Sequence, residues 1–360
     1  MTDHTQEQDA PAQNMGETPA AAGYRWPAEW ERHAATWLAW PHNPNTWPDK
    51  FEVIPPIYAE WVRLIARFEP VRLIAGNEAG REQATQLVGD LPNVEILPWP
   101  TNDSWIRDYG PLFLVKPNGE KGIVNWQYNA WGSKYPPYEL DNEIPRRAAE
   151  YLRLPCYHPG LVLEGGAIEG NGEGVLLTTE SCLLHPSRNG SLTRAEIEQA
   201  LRDYLTVDSI YWLAGGDFAG DDTDGHIDQL VRFVDPRTVV AAACTDPGDE
   251  NFEVLQFLYQ QLQAIRLPNG DPLNIELLPI PKPKYHQGQR LPTSYCNFTL
   301  HHGGLIVPLF DDPADEIALR RLEALFPDRT IVGSPALDLV WGLGAFHCLS
   351  QQEPAGVRAS

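Results

Sequence analysis

The sequence predicts an α/β domain of radially arranged repeats, and three observations carry that reading. Short strand and helix signals alternate along most of the chain, and several strands come as close pairs. The strand-rich units return loosely every ~50–70 residues, as in repeat architectures. The alternatives lack their marks: no GxGxxG follows a first strand and no phosphate-binding loop occurs, against a doubly wound sheet. The paired Gly-His and Trp-Asp signature of an all-β WD40 propeller is also absent, since no Trp-Asp occurs.

The elements follow in order. Residues 1–22 carry no Lys, Arg or aromatic residue and cannot bury enough apolar surface to offset ordering entropy, so an acidic disordered tail is expected there. It contains both methionines, which leaves Met15 as a second candidate start. A single domain is expected over 23–355, opening with Trp26-Pro27-Ala28-Glu29-Trp30-Glu31 and Leu38-Ala39-Trp40-Pro41. Ile57, Trp61, Leu64, Ile65 and Phe68 recur at helical spacing behind Pro55-Pro56. A strand at 71–75, a helix near 78–88 and a strand at 94–97 come next. Strand signals at 173–179 precede a helix opened by the capping box Thr193-Arg194-Ala195-Glu196, then a strand at 209–213. A strand pair at 227–234 and 238–243 leads to a helix near 249–264 and a strand at 274–280. Strands near 296–300 and 304–309, a helix near 313–325 and a strand from Thr330 to Val332 complete the pattern, and a soft polar run follows Cys348.

Composition narrows the function. A 360-residue chain buries a sizeable core, and 12 Trp with 13 Tyr suit an aromatic-lined site. The net charge of -22 argues against nucleic acid and anionic membranes as partners and fits a cationic substrate. Five cysteines without CxxC spacing suggest neither a disulfide framework nor a zinc site. With no membrane span and no signal-peptide pattern, a cytoplasmic location in a reducing compartment is expected.

Four stretches concentrate chemistry. In Thr101–Pro111, Asp103 and Asp108 can face a cation with Trp105 over it, or Arg107 can pair with an Asp in a solvated turn. Glu164 ends an apolar run before Gly165-Gly166, where a carboxylate needs a cation or hydrogen bonds. Asp224, His226 and Asp228 share one face if the segment starts a strand. Such a face can bind a metal, or flank a general base with carboxylates. Cys348 ends Gly342-Leu343-Gly344-Ala345-Phe346-His347, where flexible backbone can present a thiol at a pocket wall instead of packing it in a core. A thiol, a histidine and several carboxylates suit nucleophilic attack on a planar guanidinium, whose nitrogens take paired carboxylates.

These stretches, with Ala167-Ile168-Glu169-Gly170-Asn171-Gly172-Glu173-Gly174 and the two opening motifs, resemble the agmatine deiminase family of the guanidine-modifying superfamily. The resemblance runs from about Trp26 to Gln352 and implies a pentein fold, a five-bladed pseudosymmetric α/β propeller of strand-strand-helix-strand units. It implies hydrolysis of agmatine to N-carbamoylputrescine and ammonia through a covalent amidino-cysteine, a step of putrescine and polyamine biosynthesis, with no metal or organic cofactor. By matching positions, Cys348 would be the nucleophile and His226 the general acid/base. Asp108 and Asp228 would hold the guanidinium, Glu164 would orient His226, and Trp105 would line the pocket. Asp222 is expected to meet the distal ammonium, and Asp103 is a further substrate-binding candidate. Assembly into a homo-oligomer is left open. The rivals are a deiminase of arginine or peptidyl-arginine, a metal-dependent ureohydrolase, and a non-catalytic binder of cations. Against the ureohydrolase, Phe218 stands where a histidine ligand would be needed and no Asp-x-Asp-x-x-Asp-Pro follows.

Overall fold

The computed structural model describes residues 17–356. One pairing rule recurs in five sheets: an antiparallel partner, a central strand, a helix, and a third strand parallel to the centre. In the first sheet His33–Ala39 lies between Ser350–Pro354 and Val71–Gly76, with Val94–Pro100 added outside. Leu112–Val115, Lys121–Val124 and Cys156–Tyr157 form the second, and Ile168–Gly170, Val175–Thr179 and Ser209–Leu213 the third. Val231–Asp235, Thr238–Ala243 and Asn274–Pro279 form the fourth. Thr299–His301, Gly304–Leu309 and Thr330–Pro335 form the fifth. The strand-strand-helix-strand unit expected from the resemblance is therefore present in α/β form.

The helices form for reasons visible in their residues. Ile54–Ala66 begins with Pro55 and Pro56, whose missing N–H groups would be unpaired in a first turn anyway. It buries Ile54, Tyr58, Trp61, Val62 and Ile65 along one stripe. Arg194–Leu205 carries the expected reciprocal capping box and buries Ile197, Leu201 and Leu205, four residues apart. Among the described residues no helix is long and apolar enough to cross a membrane.

Two departures concern the chain ends. Of the expected disordered segment, residues 1–16 lie outside the described residues. Residues 17–22 lead into a turn, where the Ala22 N–H donates to Thr18 and the Ala20 N–H to Asp203, both at 3.0 Å. The soft run after Cys348 is a strand, Ser350–Pro354, and it closes the sheet that the chain opened at His33. Its polar side chains are buried because they have specific partners: Gln351 donates to the Pro111 carbonyl at 3.0 Å, and Glu353 takes Trp37, Arg72 and Lys121.

The core positions the site through its aromatics. Trp61, on the Ile54–Ala66 helix, stacks on Phe346 with ring centres 4.9 Å apart. Both rings are essentially fully buried, each worth roughly 1.5–3 kcal/mol of transfer free energy. That stack fastens the Gly342–Cys348 turn to a rigid helix.

Candidate active site

Cys348 lies on the wall of a cleft of about 760 Å³, shared with Trp105, Asp108, Trp131, Asp103 and Asp222. Leu343, at φ +72°, turns the chain there. A Cβ on Gly342 would come within 2.7 Å of Trp47 Nε1, and one on Gly344 within 2.5 Å of the Trp105 ring. The glycines thus let the turn pass beneath two tryptophans whose rings are 5.6 Å apart. The thiol is both things expected of it, packed in the core at 7 % exposure and presented to the cleft. Its Sγ is 3.2 Å from Asn297 Nδ2, 3.6 Å from Asp228 Oδ2 and 3.8 Å from Gln229 Nε2. Burial, then the charges of Asp228 and Asp108, push its pKa well above the usual thiol range, which favours the protonated sulfur.

Asp108 sits in the helical turn Ile106–Tyr109. Its Oδ1 accepts the Gly166 N–H and its Oδ2 the Trp131 Nε1–H, each at 3.0 Å. Ala130, Trp131 and Ser133 all have positive φ, a strained run that brings the indole onto this carboxylate. Nδ1 of His226 is 3.6 Å from Asp108 Oδ1, and a Cβ at position 166 would come within 2.6 Å of that nitrogen. The Gly165-Gly166 pair is therefore required by close approach. Burial raises the Asp108 carboxyl to about 6, against the opposing pull of His226.

His226 and Asp228 are both buried, and each keeps one polar atom without a partner among the described residues, Nε2 and Oδ1. They do not lie on a strand face with Asp224, as the sequence suggested. Asp224 has φ +66°, Ile227–Gln229 is a 3₁₀ turn, and the strand starts only at Val231. Asp224 bonds Arg188 at 2.6 Å and Lys134 at 3.0 Å.

Glu164 is fully buried, but its direct partner is Arg188 Nε at 2.7 Å, with Cys182 Sγ at 3.8 Å. No direct hydrogen bond joins it to His226 among the described residues, although Glu164, Cys182 and His226 each bring an atom within 4.8 Å of the others. Orientation of His226 by Glu164 would thus act across a short gap, with Arg188 fixing the acid. Asp222 lines the cleft with its carboxylate already engaged by Lys134 and Tyr135. Asp103 accepts from Thr46 at 2.6 Å, Ser104 at 2.7 Å and Asn43 at 3.3 Å. Asp217 is exposed and does not line the cleft.

Among the described residues two clusters have metal-like composition, Glu164–Cys182–His226 and, elsewhere, His33–Glu69–His301. In the first, Arg188 already occupies the carboxylate. In the second, His33 faces Glu69 at 3.1 Å and the Glu29 carbonyl at 2.7 Å, two acceptors that require both ring nitrogens to donate. A donating nitrogen has no lone pair for a metal, so neither cluster fits one as arranged.

Sequence reasoning missed Asn297, Gln229, Arg188 and the ring of His347. Asn297 donates through Nδ2 to the thiol sulfur at 3.2 Å and accepts through Oδ1 from the N–H groups of His347 at 3.0 Å and Cys348 at 3.4 Å. Only His347 had a signal, as the neighbour of Cys348.

Residues 25–354 match the family of Porphyromonas-type peptidyl-arginine deiminases. The chain is 39% identical to an agmatine deiminase of Pseudomonas syringae pv. tomato, over 96% of this chain and 99% of that protein. It superposes on the agmatine deiminase of Enterococcus faecalis with a TM-score of 0.90 at 31% identity, covering 96% of this chain and 100% of that one. A likeness of fold alone extends to an amidinotransferase of Microseira wollei, at 12% identity and TM-score 0.52, covering 92% and 96% of the two chains. The chain belongs to the Porphyromonas-type peptidyl-arginine deiminase family, as a member of the agmatine deiminase group within it.

Proposed function

We propose that this protein hydrolyses agmatine to N-carbamoylputrescine and ammonia, with Cys348 as nucleophile. The observation that carries the reading is one convergence. A cleft-wall thiol, an imidazole with a nitrogen unpartnered among the described residues, and two buried carboxylates come together, with Cys348 and Asp108 on the wall of an acidic, aromatic cleft.

Asp108 and Asp228 hold the guanidinium and localise its charge, in surroundings where each contact is stronger than in water. Burial and then the two anions keep Cys348 protonated, and the bound cation offsets the anions, so thiolate forms when substrate is present. The thiolate attacks the guanidinium carbon, and His226 protonates the nitrogen that leaves as ammonia. This breaks one C–N bond and leaves the amidino group on sulfur. Water then attacks the same carbon, gives a proton to His226, and the thiolate departs from the carbamoyl product. Trp105 lines the pocket, and Glu164 acts on His226 through its position beside it.

For the tail, the cleft favours an ammonium over a carboxylate. Lys134, the lysine on its wall, is committed to Asp222 and Asp224, so it offers little to free arginine. The same reading places the enzyme in the cytoplasm, where its five free cysteines stay reduced. The test is product analysis with agmatine, free arginine and an arginyl peptide side by side. Ammonia with N-carbamoylputrescine, and agmatine preferred, is expected. Preference for arginine would overturn the substrate, release of urea the reaction class, and binding without turnover the enzyme itself.

A further inference from the structure

The buried ring of His347 is held at both nitrogens by carboxylates. Nδ1 lies 2.7 Å from Asp228 Oδ2, and Nε2 lies 2.9 Å from Glu29 Oε2. A neutral imidazole has one donor and one acceptor nitrogen, so a neutral ring here would aim a lone pair at a carboxylate oxygen. Both acids are anions. Burial opposes the charge of Glu29, but Arg232, His347 and Arg107 hold its pKa well below the usual carboxylate range. Burial likewise opposes the charge of Asp228, but the His347 hydrogen bond together with the charges of His347, His226 and Arg232 holds its pKa below the usual range.

Everything else that faces the ring belongs to the same network. Arg232, with no exposed side-chain surface, bonds Glu29 at 2.7 Å and Glu169 at 3.0 Å. Arg107 donates Nε–H to the His347 carbonyl at 3.2 Å, and Asn297 takes the His347 N–H. Burial, then the charges of Arg107 and Arg232, lower the pKa of the ring below the ordinary histidine range, and the two carboxylates oppose that shift. Direct bonds at both nitrogens decide the balance, because each would turn repulsive with a lone pair in place of the proton.

We propose that His347 is a standing imidazolium and a positioning residue, which fixes the Asp228 carboxylate beside Cys348 and offsets its charge there. This rests on Cys348 being the nucleophile. Asp228 Oδ2 is 3.6 Å from Sγ, where an uncompensated anion would oppose thiolate formation. With both nitrogens occupied, His347 cannot take a proton from the thiol. That leaves His226, whose Nε2 has no partner among the described residues, as the base. The clamp also gives the opening Trp26-Pro27-Ala28-Glu29 motif a purpose, since Glu29 is its second jaw.

Neutron diffraction from deuterium-exchanged crystals of the wild-type protein tests the protonation directly. Deuterium on both Nδ1 and Nε2 is expected, and a single ring deuterium would overturn the proposal. This readout involves no turnover, so it fails or holds independently of the reaction assignment. A second arm follows alkylation of Cys348 by iodoacetamide against pH, read at the Cys348 peptide, in wild type and His347→Gln. The variant's midpoint should rise by about one pH unit or more, with kcat falling further than KM rises. An unchanged midpoint in a folded variant would refute the charge-offsetting role.

Discussion

Replacing Asp108 with asparagine should abolish turnover and at the same time change how stability responds to pH. Chiefly through burial, the carboxyl rises from 3.8 to about 6, with His226 opposing and Asp228 and Glu164 adding to the shift. Between those values the native state keeps a proton that the unfolded chain has lost, so stability falls as pH rises through the window. A gap of about 2 units corresponds to about 3 kcal/mol, roughly half of it falling between about pH 5 and 7.5. Asparagine does not titrate, so the stability difference should move by about 1.5 kcal/mol in the variant's favour across that interval. A separate effect has the opposite sign. Asp108 accepts from both Gly166 and Trp131, and asparagine has only one acceptor oxygen, which leaves one donor unmatched at about 1–3 kcal/mol. That loss does not depend on pH, so urea unfolding of both proteins at the two pH values separates the effects. A difference that stays constant with pH would refute the account of Asp108 as an acid strained by burial.

Four further outcomes are expected. Cys348→Ala should fold and release no ammonia from agmatine, since the covalent step has no substitute nucleophile; near-wild-type release would remove Cys348 from the mechanism. Dialysis against a strong chelator should leave activity unchanged, because Asp224 is bound by Arg188 and Lys134; loss of activity with recovery on manganese would favour a ureohydrolase. Arg188→Gln should destabilise the fold by about 3–5 kcal/mol in denaturant unfolding, because it strands the buried Glu164 carboxylate; a loss under about 1 kcal/mol would contradict the pairing. Asp222→Asn should raise KM for agmatine only a few-fold and Asp103→Asn more, by about a decade, with kcat less affected in both; the reverse order would return the distal ammonium to Asp222.

The repeat was legible wherever a helix or strand buried one periodic face. The helix Glu78–Val88 and the strands Ser209–Leu213, Thr238–Ala243 and Gly304–Leu309 have the expected bounds. Ser350–Pro354 was not legible, because its polar residues are buried by partners more than 200 positions away in sequence, such as Trp37, Arg72 and Lys121 on Glu353. The site divides in the same way. Cys348, Asp108 and Glu164 each sit next to a glycine turn, and glycine demanded by close approach marks the sequence locally. The Asp224–Asp228 face failed because a period of two was assumed where the backbone makes a left-handed residue and a 3₁₀ turn. Arg188 and Asn297 act through contacts 24 and 51 positions distant, which no local pattern reports.

Pairing each acid with its counter-charge shows where a dication would settle. Glu164 has Arg188, Asp224 has Arg188 and Lys134, Asp222 has Lys134, and Asp228 has His347. Among the acids on the cleft wall, Asp108, Asp103 and Asp141 take hydrogen bonds but no Lys or Arg ion pair among the described residues. Burial raises the pKa of all three, the mark of acids short of a cation. Asp108, near Cys348 and His226, is where a guanidinium would be compensated and attacked. Asp103 and Asp141 are joined through the Asn102 and Asp103 N–H groups, which donate to Asp141 at 2.6 and 3.3 Å, and they form a second acidic position on the same wall, one that a cation would draw toward the charged form. A substrate with a cation at each end relieves both positions, whereas free arginine would bring a carboxylate toward the second. This is why Asp103, and not the lysine-bound Asp222, is expected to govern KM.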